Sequence, residues 1–270
     1  MSDQAVLKIG IVGLGVVGSA CRFGFEKLGH DVIVHDIKFD TALSDIVETE
    51  VAYICVPTPS GKTGICDSAI VEEVIQELDT LDYQGIIAIK STVLPGTTEN
   101  LLKKYERKIC FVPEFLRERC AISDFVENHT LLAIGTNDKD VYNIIKQCHG
   151  PYPQEILQVA PGEAEMLKYY SNIFNALRIT FSNEIYEVCH RLGINYANVK
   201  NAYVKMGSVP DIYLDVNKNF RGYGGVCLPK DVWAMSCLIE DLGLDFQLIK
   251  TIHNENKKYK VTVFDGMRKS

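Results

Sequence analysis

Four short segments of this 270-residue sequence carry side chains that could do covalent chemistry. The most distinctive is GYGGVCLPKD at 222–231, in which Cys227 follows a run of glycines and lies four residues before Asp231. Glycines allow tight turns that expose backbone N–H groups, and a cysteine near the start of a helix is favoured as the nucleophilic thiolate. We therefore expect Cys227 to be a nucleophile.

The other three segments supply polar groups that a plain fold would not need. Thr92 closes the segment KST at the end of a predicted strand. Glu114 and Glu118 are four residues apart in PEFLRE and would share one face if this segment is a helical turn. Lys168 and Asn172 are also four apart, on a long predicted helix, so their ammonium and amide groups should project together. Each feature alone is typical of a solvated surface, but together they indicate a catalytic site.

The glycine-rich segment GLGVVG at 13–18 predicts a dinucleotide site, because it directly follows the first predicted strand and opens the first helix. Gly13 would permit the tight turn, Gly15 the close approach of a pyrophosphate, and Gly18 the packing of helix on strand. A glycine turn that binds nothing, or binds another nucleotide, is the structural alternative.

Asp36 at the end of the second predicted strand stands where a carboxylate accepts hydrogen bonds from the adenosine ribose. It would repel a 2′-phosphate and so favours NAD over NADP, a preference that Lys38 opposes weakly. The segment VPTP, with Pro57 and Thr58, is consistent with a loop that passes the cofactor.

Alternating strand and helix patterns up to Gln158 predict a doubly wound α/β domain with a mainly parallel sheet. The predicted strands are Lys8–Val12, Asp31–His35, Val51–Cys55, Ile86–Ile89, Thr130–Ile134 and Glu155–Gln158, with a shorter one at Ile109–Phe111. The predicted helices between them are Val16–Leu28, Ser68–Leu78, Thr97–Tyr105 and Asp138–Cys148.

The remainder of the chain reads as helical. One long helix is predicted from Pro161 to Leu192, with Gly193 as its stop. Shorter helices are predicted at Asn198–Lys205, Lys230–Leu242 and Phe246–Lys257. The irregular segment between them, Gly207 to Pro229, is long for a structureless loop, and such loops are often functional.

Composition excludes several other classes of protein. The net charge of -7, without a dense basic run, argues against nucleic acid or an anionic membrane as partner. The nine cysteines are scattered, without metal-ligand spacing, so disulfides and a metal site are not expected. No signal peptide or membrane span is apparent in the sequence, and the expected location is the cytoplasm.

The sequence resembles the UDP-glucose/GDP-mannose dehydrogenase family over nearly its whole length. The resemblance rests on KIGIVGLGVVG, VPTP, KSTVLPGTT, PEFLRE, EAEMLKYYSNIFNALRITFSNEI and GYGGVCLPKD, in the family's order. It implies oxidation of the C6 hydroxyl of a nucleotide sugar to a carboxylate with two NAD+. UDP-glucose is the first expectation for the sugar, with GDP-mannose and UDP-N-acetylmannosamine as alternatives.

The resemblance also implies roles for individual residues. Cys227 would attack the aldehyde made by the first oxidation and carry a thioester that water hydrolyses. Lys168 and Asn172 would stabilise the oxyanions. Glu114, supported by Glu118, would be the general base, and Thr92 and Asp231 would help to handle the proton and the water.

The expected contacts of the cofactor and of the substrate follow in the same way. The cofactor would contact Gly13, Gly15, Val16, Val17, Gly18, Asp36, Lys38, Pro57, Thr58, Thr92 and Glu118. The sugar nucleotide would contact Glu114, Phe115, Leu116, Lys168, Asn172, Phe220, Arg221, Tyr223 and Gly224, with Arg221 as a phosphate ligand. The long helix would form the core of a homodimer.

Three regions are expected along the chain: an NAD-binding domain at 1–160, a central helical domain at 161–258, and a strand at Lys260–Phe264 within a C-terminal remnant at 259–270. Family members continue into a third domain, which the resemblance implies is absent here. Two other functions are open: a weakly catalytic partner subunit that binds NAD or a nucleotide, and a simple β-hydroxyacid dehydrogenase, which needs no thiol.

Overall fold

A computed structural model of the protein describes residues 5–60, 66–225 and 227–259. The described chain forms two compact units. The first unit contains residues 5–59 and 66–168, and the second contains Ser60 and residues 169–259 except 226. The strand predicted at Lys260–Phe264 lies outside the described residues.

The first unit is built on a seven-stranded sheet in the order β2-β1-β3-β4-β5-β6-β7. All neighbours pair in parallel except β5 and β6, which are antiparallel. The strands are β1 (Lys8–Val12), β2 (Asp31–His35), β3 (Val51–Ile54), β4 (Ile86–Ile89), β5 (Lys108–Phe111), β6 (Leu131–Gly135) and β7 (Glu155–Val159). The predicted doubly wound, mainly parallel sheet is confirmed.

Helices connect the strands of the first unit. They are α1 (Val16–Lys27), α2 (Ala69–Thr80), α3 (Thr97–Lys104), α4 (Ala121–Val126) and α5 (Lys139–His149), with short 3-10 helices at Leu43–Ile46 and Glu118–Cys120. The sequence pattern did not predict α4, whose six residues are too few to show a helical period.

The core of the first unit explains the apolar runs in its strands. All four residues of β3 and of β4 are buried. Tyr53 packs on one face of the sheet with Phe25, while Ile54 packs on the other with Ile75 and Leu78. A parallel strand that is covered on both faces has no solvent side, so its sequence is continuously apolar rather than alternating.

A 31-residue helix, α6 (Pro161–Arg191), follows the sheet. Its first turn and the start of α3 cap each other. The Glu165 carboxylate accepts hydrogen bonds from the Gly96 and Thr98 backbone N–H groups at 2.6 and 2.8 Å, and Glu99 accepts one from Gly162 N at 2.8 Å. Carboxylates at helix N-termini satisfy otherwise unpaired donors, so these two acids tie the start of α3 to the start of α6.

The described part of the second unit is helical, as predicted. It contains the later part of α6, together with α7 (Tyr196–Val204), α8 (Cys227–Asp241) and α9 (Leu248–Asn256). Ala176, Tyr223, Val232 and Ile252 form the buried centre of this unit. Gly193, with φ at +70°, follows the end of α6 in the left-handed conformation expected of a helix stop.

The start of α8 corrects the sequence prediction. The helix begins at Cys227, not at Lys230, and therefore includes Pro229 in its first turn. Proline is tolerated there because the first N–H groups of a helix have no intrahelical acceptor. Cys227 is thus the first residue of the helix.

The long segment before α8 is irregular but anchored to α7. Tyr196 donates a 2.7 Å hydrogen bond to the Leu214 carbonyl oxygen. The Lys200 ammonium lies 2.8 Å from an Asp211 carboxylate oxygen and 3.0 Å from one of Asp215. Across the three described ranges, no helix combines the length and the apolar character needed to span a membrane.

Candidate active site

The glycine loop between β1 and α1 has the shape of an anion cradle. Gly13 has φ at +92°, and a Cβ there would lie 2.8 Å from the Cys55 carbonyl oxygen. A Cβ on Gly18 would lie 1.9 Å from the Gly13 carbonyl oxygen, so both positions require glycine. A Cβ on Gly15 would meet nothing within 4 Å, which leaves the backbone open to a ligand.

Helix α1 starts at this open position without a side-chain cap at Gly15. Its first residues, Val16 and Val17, therefore present backbone N–H groups to the space beside the loop, the arrangement that binds phosphate at a helix N-terminus. Val16 is exposed and Val17 is half-buried against the core of the sheet. These residues fit the pyrophosphate of a dinucleotide.

Asp36 follows β2 and braces the same loop. One of its carboxylate oxygens accepts a hydrogen bond from Leu14 N at 2.7 Å and the other accepts one from Lys38 N at 2.9 Å. These two backbone hydrogen bonds lower the pKa of Asp36. The ionised carboxylate beside the glycine loop fits an adenosine ribose diol, and the Lys38 side chain is exposed.

The two predicted loops at the carboxyl ends of β3 and β4 are tied together. Ser91 Oγ donates to the Val56 carbonyl oxygen at 2.7 Å, which joins the VPTP segment to the KST segment. Within VPTP, Thr58 is buried and Pro57 is exposed. The carbonyl oxygen of Thr92 accepts a hydrogen bond from the Cys66 thiol at 3.2 Å.

Glu114 and Lys168 form a buried ion pair in the first unit. Lys168 Nζ lies 2.8 Å from Glu114 Oε1 and donates to the Glu114 backbone carbonyl oxygen at 2.6 Å. The second carboxylate oxygen of Glu114 accepts from Leu116 N at 2.7 Å. Burial raises the pKa of Glu114, but Lys168 and the Leu116 hydrogen bond outweigh it and hold that pKa below its usual value.

The PEFLRE segment is not a helical turn, so the expectation that Glu114 and Glu118 share a helical face is wrong. Residues 112–117 are irregular, and Glu118 begins a short 3-10 helix with an exposed side chain. Arg117 holds the chain on this non-helical path, because its backbone N–H and its guanidinium both bind the Asp124 carboxylate. Phe115 lies next to the ion pair, with its ring centroid 5.8 Å from Lys168 Nζ.

A second polar cluster lies in the second unit. Asn172 Nδ2 donates to Asp231 Oδ2 at 2.5 Å, and the other Asp231 oxygen lies 2.8 Å from Lys230 Nζ. Asp231 is fully buried and Asn172 is 8% exposed. Cys227 is exposed at the N-terminus of α8, the helix that also carries Asp231 one turn later. All nine cysteines, each at a described position, are thiols.

Lys168 belongs to the first unit and Asn172 to the second, although one helix carries both. The expectation that their side chains project together stays a prediction. Among the described residues, no group of three or more His, Cys, Asp or Glu side chains is arranged to hold a metal.

The predicted substrate loop shows mixed environments. Phe220 is exposed, Tyr223 is buried, and Gly224 is half-buried. The Arg221 guanidinium pairs with Glu187 and lies 4.8 Å from the ring centroid of Tyr186. Its predicted role as a phosphate ligand would require it to exchange or share these partners.

Two asparagines that the sequence patterns did not single out hold this loop. Asn183 on α6 accepts hydrogen bonds from Arg221 Nε and Gly222 N at 2.7 and 3.2 Å. Asn256 at the end of α9 accepts one from Tyr223 N and donates one to the Tyr223 carbonyl oxygen, both at 2.8 Å. A lone asparagine in a helical pattern gives no signal of such distant partners.

A cavity of about 460 Å³ in the second unit was also not predicted. It is lined by Ser60, Pro229, Lys230, Trp233, His253 and Lys257. The ring centroids of Trp233 and His253 are 4.7 Å apart, and Lys257 Nζ lies 5.6 Å from the Trp233 ring centroid.

Two family models match the sequence. The NAD binding domain of the UDP-glucose/GDP-mannose dehydrogenase family matches residues 35–152, and the central domain of the same family matches residues 162–258. The two matches follow one another along the chain without overlap.

Individual relatives are similar over almost the whole chain. UDP-glucose 6-dehydrogenase TuaD of Bacillus subtilis is 28% identical over 96% of this chain and 65% of its own length. GDP-mannose 6-dehydrogenase of Pseudomonas aeruginosa is 27% identical over 96% of this chain and 70% of its own. The structure of a UDP-glucose dehydrogenase from Pyrobaculum islandicum has a TM-score of 0.88 at 26% identity, covering 96% of this chain and 69% of that one. The chain thus spans about two thirds of these relatives.

Proposed function

Since the chain belongs to the UDP-glucose/GDP-mannose dehydrogenase family, we propose that it oxidises the C6 hydroxyl of a nucleotide sugar to the carboxylate, with UDP-glucose as the first candidate substrate. The observation that carries this proposal is the position of Cys227. It is an exposed thiol at the first residue of α8, one turn from a buried aspartate that binds an asparagine. A reaction through an enzyme-bound thioester needs such a nucleophile.

NAD is the cofactor, and when bound at the glycine loop it would supply the hydride acceptor for each of the two proposed oxidations. In the proposed first oxidation, the C6 hydroxyl gives its proton to Glu114, which is ionised because Lys168 holds its pKa low. Thr92 and Asp231 are further candidates for handling this proton. The product of this step is an aldehyde.

In the second half of the reaction, the Cys227 thiolate adds to the aldehyde carbon and forms a C–S bond. The thiohemiacetal loses its hydroxyl proton and a hydride and becomes a thioester. Water then adds, the C–S bond breaks, and the thiol is restored. One alcohol, one water and two NAD+ give one carboxylate, two NADH and three protons.

The two oxyanion intermediates need donors. We assign this role to the Lys168 ammonium and the Asn172 amide, each of which is buried and hydrogen bonded to a carboxylate. Pre-oriented donors of this kind are worth on the order of 3 kcal/mol each in the transition state. The reaction requires both groups to act on the same substrate.

The proposed substrate contacts are those expected from the sequence. Phe115 and Leu116 adjoin the Glu114 carboxylate, and the loop at 220–225 precedes the nucleophile. In this loop Phe220, Tyr223 and Gly224 would line the sugar-nucleotide site, and Arg221 would meet a phosphate.

We also propose that α6 forms a homodimer. Tyr170, Phe174, Phe181 and Val188 are exposed on this helix at 69, 45, 56 and 53%. Their spacing of four, seven and seven residues places them along one stripe of a helix. Sedimentation equilibrium of the wild-type protein should give twice the monomer mass. The double variant with Phe174→Glu and Phe181→Glu should give the monomer mass.

The test of the function is NADH production from purified protein with NAD+ and a panel of nucleotide sugars. Two NADH per sugar are expected with the correct substrate, and Cys227→Ser should make at most one. Absence of NADH with every sugar at millimolar concentration would contradict the proposal. Binding of NAD+ without turnover would point to a binding subunit, and full turnover by Cys227→Ser would exclude the thioester route.

A further inference from the structure

We propose that Asn256 is a positioning residue for Cys227: its amide holds the glycine-rich segment that delivers the thiol to the N-terminus of α8. This inference rests on the proposed function, in which Cys227 is the nucleophile. The side-chain amide of Asn256 makes its hydrogen bonds with the backbone of Tyr223. Its effect would be exerted through Tyr223, four residues before the cysteine.

The contact between Asn256 and Tyr223 uses the whole side-chain amide. Asn256 Oδ1 accepts from Tyr223 N at 2.8 Å, and Asn256 Nδ2 donates to the Tyr223 carbonyl oxygen at 2.8 Å. A primary amide that pairs in this way with both polar atoms of one residue fixes the direction of the backbone, as a neighbouring strand would. Among the described residues, no strand pairs with Tyr223, and the Asn256 amide supplies the two hydrogen bonds that a neighbouring strand would make.

The fit of the amide depends on the glycine beside it. Gly222 has φ at +61°, and a Cβ at this position would lie 2.7 Å from Asn256 Oδ1. Asn183 holds the other side of the same turn, because its Oδ1 accepts from Gly222 N and Arg221 Nε. The Asn183 amide is itself oriented by a 2.8 Å hydrogen bond from its Nδ2 to the Ile179 carbonyl oxygen.

Three consecutive residues, Arg221, Gly222 and Tyr223, are therefore held by side-chain amides from α6 and α9. The Tyr223 ring is buried, and its hydroxyl donates to the Ile252 carbonyl oxygen at 3.4 Å. Glycine-rich backbone has high conformational entropy, so the segment GYGG would sample many paths without these contacts. The amides restrict the chain at these three residues, the last of which lies four positions before Cys227.

The test compares Asn256→Asp and Asn256→Ala with a matched control, Asn254→Ala. Asp keeps the acceptor for Tyr223 N but sets a carboxylate oxygen against the Tyr223 carbonyl oxygen. Ala removes both hydrogen bonds. Asn254 is exposed on the same helix two residues earlier, so its replacement leaves the contacts with the loop intact.

The first readout needs no substrate. Limited alkylation with iodoacetamide, followed by peptide mass spectrometry, gives the rates at Cys227 and at Cys237 in one sample. Cys237 lies on α8 and is half-buried, so it reports loosening of the whole unit. We expect both Asn256 variants to lower the Cys227 rate relative to the Cys237 rate by about tenfold, because the thiolate loses its place at the helix N-terminus. The Asn254 variant should match wild type.

The second readout is steady-state kinetics with the sugar that gives NADH. The Asn256 variants should lower kcat by about ten- to a hundredfold with little change in KM, since a displacement near 1 Å is enough for such a loss. An unchanged Cys227 rate, a higher one, or equal changes at both cysteines would overturn the inference. If no sugar gives NADH, the proposed function fails, while the alkylation ratio still decides the role of Asn256.

Discussion

Lys168 binds Glu114 at two points, since its ammonium pairs with the carboxylate at 2.8 Å and donates to the backbone carbonyl oxygen of the same residue at 2.6 Å. The side chains are 5 and 11% exposed, so water contributes little to the solvation of either charge. Each charge therefore depends on the other. The pair is as much a requirement of the fold as a candidate for catalysis.

Removing only the cation should destabilise the protein strongly. Lys168→Met leaves a buried carboxylate without its partner, and we expect the free energy of unfolding to fall by about 3–5 kcal/mol. The double variant Lys168→Met with Glu114→Gln should recover most of this loss, because no charge is then stranded. Urea unfolding measures all three proteins. Equal stability of the single and double variants would show that the two charges are not coupled.

Two glycines of the dinucleotide loop should respond differently to alanine. Gly18→Ala places a methyl group against the Gly13 carbonyl oxygen and should lower the melting temperature. Gly15→Ala meets no protein atom within 4 Å, so it should melt like wild type but bind NAD+ at least about tenfold more weakly, since the methyl group fills the space of the pyrophosphate. Calorimetric titration and thermal unfolding separate these effects. Unchanged NAD+ affinity in Gly15→Ala would argue against a cofactor at this loop.

Asn172→Asp would place a second carboxylate beside Asp231 in a buried site. We expect a loss of about 3–5 kcal/mol at pH 7, because two adjacent buried carboxylates cannot both ionise without cost. The loss should shrink as the pH falls and one of the two groups holds a proton. Asn201→Asp on exposed α7 is the control. A loss that is equal at pH 7 and pH 5 would contradict this electrostatic origin.

Acid should destabilise the first unit through its buried histidines. Both ring nitrogens of the fully buried His149 lack a hydrogen-bond partner among the described residues. Burial, with Lys90, His129 and His30 nearby, holds the pKa of His149 well below 6.5. The unfolded state therefore binds more protons, and the free energy of unfolding should fall as the pH drops below about 6.5.

His149→Phe should reduce this acid sensitivity and raise stability at pH 7 by about 1–3 kcal/mol, since an unpaired buried polar ring is replaced by an apolar one. Its neighbours Phe25 and Phe125 are themselves aromatic. His190→Gln on the exposed face of α6 is the control. Denaturant unfolding from pH 5 to pH 8 gives the comparison. Parallel pH profiles for wild type and His149→Phe would refute the assignment.

The fold was predictable because its signals are local. Continuous apolar runs such as those of β3 and β4 indicate strands covered on both faces, and the uninterrupted pattern after Pro161 indicates the length of α6 within a residue or two. Gly13 and Gly18 of the dinucleotide loop have backbone requirements that no other residue meets. Such features can be recognised without knowledge of what lies across the fold.

The site was less predictable because its contacts are distant in sequence. Nothing near Asn256 indicates that its amide binds a loop 33 residues earlier. Glu114 and Glu118 have helical spacing, yet the hydrogen bond between Arg117 and Asp124 holds the chain in a non-helical conformation. The predicted start of α8 at Lys230 left Pro229 outside the helix, although proline suits a first helical turn. In each case a tertiary contact or the tolerance of a helix end decided between paths that the sequence pattern allows.

The contact between Trp233 and His253 gives the second unit an intrinsic fluorescence probe. Trp233 is the only tryptophan of the protein, and it lies on α8, the helix that begins with Cys227. Its ring contacts the imidazole of His253, which lies on α9 three residues before Asn256. Emission from this one fluorophore therefore reports whether α8 and α9 stay together, and a ligand entering the adjoining cavity can be followed without any attached dye.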